Sequence, residues 1–476
     1  MLLNGDGTGC LTAVLRRQPV HVAPESSVRE ALARMGAERV GTVVVADPET
    51  RRPLGILTAR DAIERVVLGS GDLDEAVAGV MTGGVVALPA SAGSHQARLA
   101  LARHGLRHLV VVDEAGRFAG VVSRSDLYAS RRQQADDLAE AVQSAADVEA
   151  LAAAARQVRE AGAAKVGRGE AAGRVSEWIA VLNDLIVLAA IDLAEAELAG
   201  TESELPLVRW CWLAFGSEGR LEQTLATDQD NGIIFATDND EDAALLRERF
   251  LPFARRVNDI LDACGFPLCK GGVMAGNPKW CLSLAEWRRR FAGWMRAAAP
   301  EDLLNSTIFF DFRPLAGDWA LAVSLREWLL AAAADNPLFL RFMAANALSS
   351  GPPLGRIRDF VVDRNTGMLD LKRDGSRIFV DAARIYALAL GLAETSTAQR
   401  LRAAGAALRW AEGESDALVE ALHFIQQLRL RGQRVAGAVA NLVSPEGLND
   451  LERAFLKESF RQARKLQGRL QTSYQL

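Results

Sequence analysis

Apolar and polar positions change their spacing several times along the chain, and each change predicts a different kind of element. Up to about residue 130 the apolar residues come in short β-branched runs, Val43 to Val45 and Val110 to Val112, bounded by turn formers. Such runs predict strands. In the first case a helical stretch, Val28 to Met35, precedes the run, and a turn, a second strand and a closing helix follow. From Arg131 to about Leu198 the chain turns Ala-rich, with Leu138, Val142, Ala145 and Val148, then Val175, Ile179, Leu182, Ile186 and Leu193, at helical spacing. Long helices are predicted there, with Gly162, Gly167, Gly169 and Gly173 marking a loop between them. A strand-like run, Trp210 to Phe215, then leads into a Gly216-Ser217 turn, a helix from about Glu218 and a second strand near Asn231. After Asp318 the spacing predicts helices over Trp319 to Ala334, Pro337 to Leu348, Val380 to Leu392, Thr397 to Ala411, Ser415 to Arg431 and Leu448 to Leu470.

The first segment is internally duplicated. VGTVVVADPETRRPLGILTARDAI from Val40 is echoed by LRHLVVVDEAGRFAGVVSRSDLY from Leu106. Gly55 and Gly120 are 65 apart, as are Thr58 and Ser123, and Asp61 and Asp126; the valine runs are 67 apart, which implies two extra residues in the first hairpin. One β-α-β-β-α copy of about 60 residues buries too little surface to stand alone, so the two copies should pack sheet against sheet. The repeated Gly-apolar-apolar-Thr/Ser-x-x-Asp resembles the signature of CBS domains over about residues 10 to 132. The resemblance implies a regulatory cleft for an adenosyl nucleotide, AMP or ATP. Thr58 and Ser123 would meet phosphate, and Asp61 and Asp126 a ribose. It also implies a homodimer. A hydroxyl that caps a helix beside free backbone N–H groups is a physical reason for such anion binding. Thr58 and Ser123 as plain N-caps, with Asp61 and Asp126 completing capping boxes, would select the same residue types.

Composition narrows the class. At about 150 residues per domain, 476 residues suggest three domains. With 49% hydrophobic and 24% charged residues, disorder, a collagen and a membrane protein are disfavoured. Acidic residues number 60 against 55 basic, a net charge of −5, so no nucleic-acid partner is expected beyond a local basic pocket. Cys10, Cys211, Cys264, Cys269 and Cys281 are odd in number and lack a C-x-x-C, which argues for buried thiols in a reducing cytoplasm. No signal-peptide pattern opens the chain, and no run of about 18 apolar residues predicts a membrane span. The five histidines show no metal-ligand spacing.

The chemistry concentrates in WCWLAFGSEGRLEQTLATDQDNGIIF, from Trp210. Asp228 and Asp230 stand two apart at a strand entry, so the strand period turns both carboxylates to one face. Two such acids near a Gly-Ser turn suit a magnesium nucleoside triphosphate, because Mg²⁺ takes hard oxygens and keeps phosphate oxygens in its shell. Gly216 would let the backbone approach phosphate and Ser217 would add a hydroxyl. Arg220 and Glu222 read equally as nucleotide contacts or as an ion pair that fixes the loop.

The spacing Gly216, Ser217, Gly219, Arg220, Glu222, Thr227, Asp228, Asp230 resembles the DNA polymerase beta-like nucleotidyltransferases, and most closely the protein-PII uridylyltransferases and glutamine synthetase adenylyltransferases. With the CBS pair it resembles the bacterial family of CBS-domain putative nucleotidyltransferases. The resemblance implies a two-metal Mg²⁺ site on Asp228 and Asp230 and transfer of UMP or AMP to a PII-like protein or a small molecule. A later third carboxylate is also implied, for which Asp311 is the candidate; an Asp311–Arg313 structural network is its rival.

Lys270 and Lys279, in a Gly-rich stretch similar to the family's, could face a triphosphate or solvent, as could Lys372, Arg373 and Arg384 further on. The expected architecture is therefore multidomain, α/β and α: a tandem CBS pair (10–132), a helical linker (133–200), a polymerase beta-like nucleotidyltransferase core (201–320) and a C-terminal helical bundle for substrate (321–476). The alternative to an enzyme is a catalytically silent nucleotide-sensing scaffold.

Overall fold

Each copy of the N-terminal repeat forms its own small sheet. In the computed structural model β1 (His21–Val22) lies parallel to β2 (Thr42–Ala46), which pairs antiparallel with β3 (Pro53–Thr58), and β4 (Thr82–Gly83) completes the first sheet. The second sheet repeats the pattern with β5 (Ala87–Pro89), β6 (His108–Val112) and β7 (Phe118–Ser123). The structure describes residues 11–476 apart from 14, 16–18, 39, 70, 93–95, 98–99, 102–105, 107, 124–134, 238, 356–359 and 437–440. Cys10, His95, His104 and Asp126 therefore lie outside the described residues. Contacts divide the chain into two units, Met1–Asp137 and Leu138–Leu476.

The ladders correct the sequence register. Val45 faces Gly55 and Val111 faces Gly120, so the β2 and β6 strands correspond at an offset of 66, and the first hairpin carries one extra residue rather than two. Asp47 and Asp113 explain why the slip is hidden. Each carboxylate accepts two backbone N–H groups of its own turn, from Glu49 and Thr50 in one hairpin and from Ala115 and Arg117 in the other. Both hairpins thus start from the same anchor and absorb the length difference in the turn. Val44, Val110 and Phe118 are buried together between the sheets, as a pair of small half-cores requires.

The second unit is built on a four-stranded sheet ordered β10-β9-β8-β11, from β8 (Trp210–Ala214), β9 (Asn231–Phe235), β10 (Cys281–Ser283) and β11 (Arg313–Gly317). Its strands are apolar in unbroken runs because both faces are covered. On one face Trp212, Ile233 and Phe235 share a core with α3 (Val148–Gly167), α4 (Ala172–Leu198) and α6 (Asp240–Ala263). Gly162 and Gly167 lie inside α3 and Gly173 inside α4, which leaves Gly169 alone of the four between them; a Cβ on Gly173 would stand 2.9 Å from the His423 ring and one on Gly162 3.0 Å from Leu225. On the other face Leu213, Phe215 and Ile234 meet α7 (Leu284–Ala297), α8 (Pro300–Phe309) and the C-terminal helices.

Those helices are α9 (Trp319–Ala334), α10 (Pro337–Leu348), α11 (Arg377–Leu390), α12 (Thr397–Ala407), α13 (Glu414–Ala436) and α14 (Asp450–Tyr474). Among the described residues no helix is long and apolar enough to cross a membrane. An aromatic cluster ties the layers: the Phe215 and Phe309 ring centroids are 4.8 Å apart, and those of Trp280 and Phe309 4.1 Å. Burial of each such ring contributes up to about 3 kcal/mol, and it fixes the residue just before the Gly216 turn.

Candidate active site

The site begins where the β8–β9 ladder ends. The Phe215 N–H donates to the Asp230 carbonyl at 2.9 Å, which lays the chain just after β8 against the chain just before β9. Gly216 has φ +54°, and a Cβ there would stand 2.9 Å from Asp230 Oδ2. The position therefore requires glycine both for its backbone and for the approach of the carboxylate. The helix expected from Glu218 is a single turn, α5 (Gly216–Gly219). The chain is packed too tightly there to continue it: a Cβ on Gly219 would lie 1.8 Å from the Asp311 carbonyl oxygen. Gly219→Ala should accordingly lower the stability of the second unit by about 1–3 kcal/mol, read as the denaturation midpoint; an unchanged midpoint would show that the contact relaxes freely. The chain then reverses at Leu221, whose φ of 59° is unfavourable for a branched side chain.

Asp228 is exposed and Asp230 half-buried, and both line one cavity with Gly216, Ser217, Arg220 and Glu222. Gln229 between them points the other way, almost fully buried. Its side-chain amide donates to the Asn258 and Phe266 carbonyls at 3.0 and 2.8 Å and accepts from Asn258 Nδ2 at 2.8 Å. Asn258 also donates to Asn231 Oδ1 at 3.0 Å. This closed polar network locks the alternation that turns both acids into the cavity. Burial, with Asp228 beside it, pushes the Asp230 carboxyl up to about 7. Glu218 behind the turn is pushed up to about 8 by burial and by Asp184.

A desolvated acid with a second acid next to it is the electrostatic demand that a cation meets. Among the described residues no cluster of three or more His, Cys, Asp or Glu could hold a metal ion. A magnesium ion held here would draw two ligands from the protein and the rest from substrate and water, which is its usual habit.

Asp311 lies just before β11, not on a strand, and does not pair with Arg313, which binds Asp184 at 2.8 Å instead. Its fully buried carboxylate accepts from Arg220 Nη1 at 2.8 Å, Arg384 Nη2 at 2.7 Å and Arg400 Nη1 at 2.5 Å. Burial opposes its ionisation, but the three guanidiniums outweigh that and hold it well below the usual carboxylate range. Arg220 also pairs with Glu222 at 3.0 Å, and Glu222 in turn accepts the Thr397 N–H that opens α12. The geometry engages Asp311 with basic side chains and leaves it off the cavity wall.

The cavity, of about 370 Å³, is also lined by residues of α11, α13 and the wide turn Lys372–Ser376. Arg384, open between phosphate and solvent by sequence, is buried at 1% exposure. Lys270 and Lys279 are exposed and do not line the cavity. Nothing in the spacing of Arg384, Arg400 or Arg429 marks them for this site, because each reaches it from a helix far along the chain.

In the N-terminal unit Thr58 and Asp61 form a capping box: the Asp61 N–H donates to Thr58 Oγ1 at 3.1 Å, and the Thr58 N–H donates to Asp61 Oδ2 at 3.0 Å. Arg65 reaches Asp61 Oδ1 at 3.3 Å. Ser123 ends β7 opposite His108, and His108 Nδ1 lies 3.2 Å from Thr42 Oγ1, a contact that joins the two copies.

Three family models match the chain: a CBS domain at residues 11–68 and 77–131, the putative nucleotidyltransferase DUF294 at 156–301, and a putative nucleotidyltransferase substrate binding domain at 337–474. An uncharacterized protein of Methanopyrus kandleri is 29% identical over 115 residues, 24% of this chain and 58% of that one. An uncharacterized 17.7 kDa protein of Acidianus ambivalens is 30% identical over 106 residues, 22% and 63% of the two lengths. The chain thus spans about three fifths of each of these relatives. A CBS domain protein from Pyrobaculum aerophilum, solved with AMP, is 29% identical, matches 24% of this chain and 88% of its own, and has a TM-score of 0.23.

Proposed function

Since this chain belongs to the family of CBS-domain-containing putative nucleotidyltransferases, we propose that its second unit transfers a nucleoside monophosphate, UMP or AMP, from a nucleoside triphosphate to an acceptor. The acceptor is a PII-like protein or a small molecule, and the reaction depends on Mg²⁺. The observation that carries this reading is the pair Asp228 and Asp230 beside the Gly216 turn, lining one cavity with Lys372, Arg373, Arg377, Arg384 and Arg429.

Asp228 and Asp230 would hold magnesium, which would supply Lewis-acid stabilisation of the charge that develops as the acceptor attacks the α-phosphate and pyrophosphate leaves. The chain's own residues do the positioning. The Gly216 turn brings backbone close to phosphate, and the Ser217 hydroxyl offers a donor at the same wall. Arg220, held by Glu222 and Asp311, presents a fixed guanidinium that needs no reorganisation when charge develops. Asp311 serves as a positioning residue that keeps Arg220 and Arg384 in place.

The test is incubation of the full chain with Mg²⁺, each of the four labelled nucleoside triphosphates and candidate acceptors, PII-type proteins and cell extract included. Products are read by intact mass and by label. A Mg²⁺-dependent adduct of one nucleotide is expected; absence of any product across the set would overturn the reading.

The first unit, in this reading, senses an adenosyl nucleotide through Thr58, Asp61, Ser123 and Asp126, and two copies pair through it. Five cysteines without a C-x-x-C suit a cytoplasmic setting. Asp61→Ala should weaken AMP binding roughly tenfold or more, the cost of losing charge-assisted bonds to two sugar hydroxyls. Calorimetry with AMP checks this, and equal affinity in Asp61→Ala and the parent would leave Asp61 a helix cap only.

A further inference from the structure

Six cations line the cavity, and four are already spent on carboxylates. Arg220 and Arg384 serve Asp311, Arg377 binds Asp381 at 3.1 Å, and Arg373 binds Asp374 at 2.7 Å. Arg429 and Lys372 have no acid within ion-pair reach among the described residues. Arg429, on α13, is 9% exposed. Its Nε donates to Asn441 Oδ1 at 3.0 Å and its Nη1 to Ser376 Oγ at 3.3 Å, both neutral groups. Its Nη2 has no partner among the described residues.

A guanidinium this deep without a counter-charge is costly, and its neutral partners aim it without neutralising it. Burial lowers it to about 10, with Asp370 and Glu222 acting at longer range to raise it and Arg220 to lower it, so it stays cationic at neutral pH. Lys372, at the start of the turn that carries Ser376, is near enough to Asp230 to act on it electrostatically. The unneutralised cations therefore line the same cavity as the two acids, and Lys372 acts on Asp230.

We propose that Arg429 and Lys372 form a phosphate subsite, in which Arg429 Nη2 and Lys372 Nζ donate to the oxygens of a polyphosphate group. The subsite rests on the reading of this cavity as a nucleotidyl-transfer site. The same chemistry fits the β- and γ-phosphates of the donor or a phosphate carried by the acceptor. The C-terminal helices thereby supply a binding group to the reaction and are more than a cover.

Calorimetry on the full chain with Mg²⁺ tests it, using inorganic tripolyphosphate, then α,β-non-hydrolysable UTP and ATP, then UMP and AMP. Arg429→Met and Lys372→Met should each weaken tripolyphosphate about tenfold or more, the cost of one charge-assisted bond, while Lys279→Met, outside the cavity, leaves it unchanged. Lys372 is exposed, so its variant remains informative if Arg429→Met unfolds. Triphosphates weakened in parallel with monophosphates untouched assigns the subsite to the donor; triphosphates unaffected while tripolyphosphate is lost assigns it to the acceptor. Tripolyphosphate that fails to bind the parent, or binds both cavity variants as tightly as the parent, overturns the subsite whether or not the chain transfers nucleotides. Variant-sensitive tripolyphosphate binding in a chain that makes no nucleotidyl product keeps the subsite and removes the transfer reading.

Discussion

Asp228→Asn and Asp230→Asn should each lower the proposed nucleotidyl transfer by roughly 100- to 1,000-fold, the scale of losing one fixed electrostatic group at a transition state, and neither should unfold the protein. The second half of the expectation follows from the cost of the native arrangement. Asp230 is desolvated at the cavity base with Asp228 beside it, so in the absence of a cation the folded state gains when either acid is neutralised. The unfolding midpoint without divalent ions should equal or exceed that of the parent. Added Mg²⁺ and nucleotide should raise the parent's midpoint and do little for either variant. Transfer at the parental rate in both variants would remove Asp228 and Asp230 from the chemistry.

Asp311→Asn has the opposite signature. The substitution keeps the shape of the side chain and removes the charge that three buried guanidiniums share. Breaking a buried ion pair costs about 3–5 kcal/mol because the partner is left uncompensated, and here Arg384 and Arg400 both belong to C-terminal helices. The carboxyl is depressed in the folded state, so its contribution is present at neutral pH and fades only on acidification below about pH 4, the unfolded value. The variant should lose that acid limb. All nine tryptophans lie between Trp178 and Trp410, so urea unfolding followed by their fluorescence reports the second unit alone. A variant as stable as the parent but inactive would instead make Asp311 a direct participant in the reaction.

The parts of the fold that could be read beforehand are those written in local spacing. The duplicated strands, the long Ala-rich helices and the helical C-terminal third all follow from periodicity, and the helix Pro337–Leu348 has the bounds that the spacing predicts. The hairpin offset misled because Asp47 and Asp113 make the two turns look alike, while only the ladder records which valines face the glycines. The proposed metal carboxylates and the Gly-Ser turn are visible as a short motif.

What holds them is not visible. Gln229, Asn231 and Asn258 form one network across about 30 residues, and the Arg220, Arg384 and Arg400 cluster spans 180. A long-range contact leaves no period in a single chain. A buried arginine has the same letter as a solvated one, which is why Arg384 and Arg429 were indistinguishable from surface charge.

The helices α3 and α4, expected as a helical linker, cover one face of the β10-β9-β8-β11 sheet, and they also grip the loop that ends in Asp228. Asn183 donates to Gln223 at 3.1 Å, Asp184 binds Arg313, and Leu225 lies over Gly162. For anyone wishing to exchange the sensor for another, this moves the seam. A graft joined near residue 200 would strip the second unit of its inner layer, whereas one joined upstream of Leu138 would leave the layer whole, with its helices already resting on the loop that ends in Asp228.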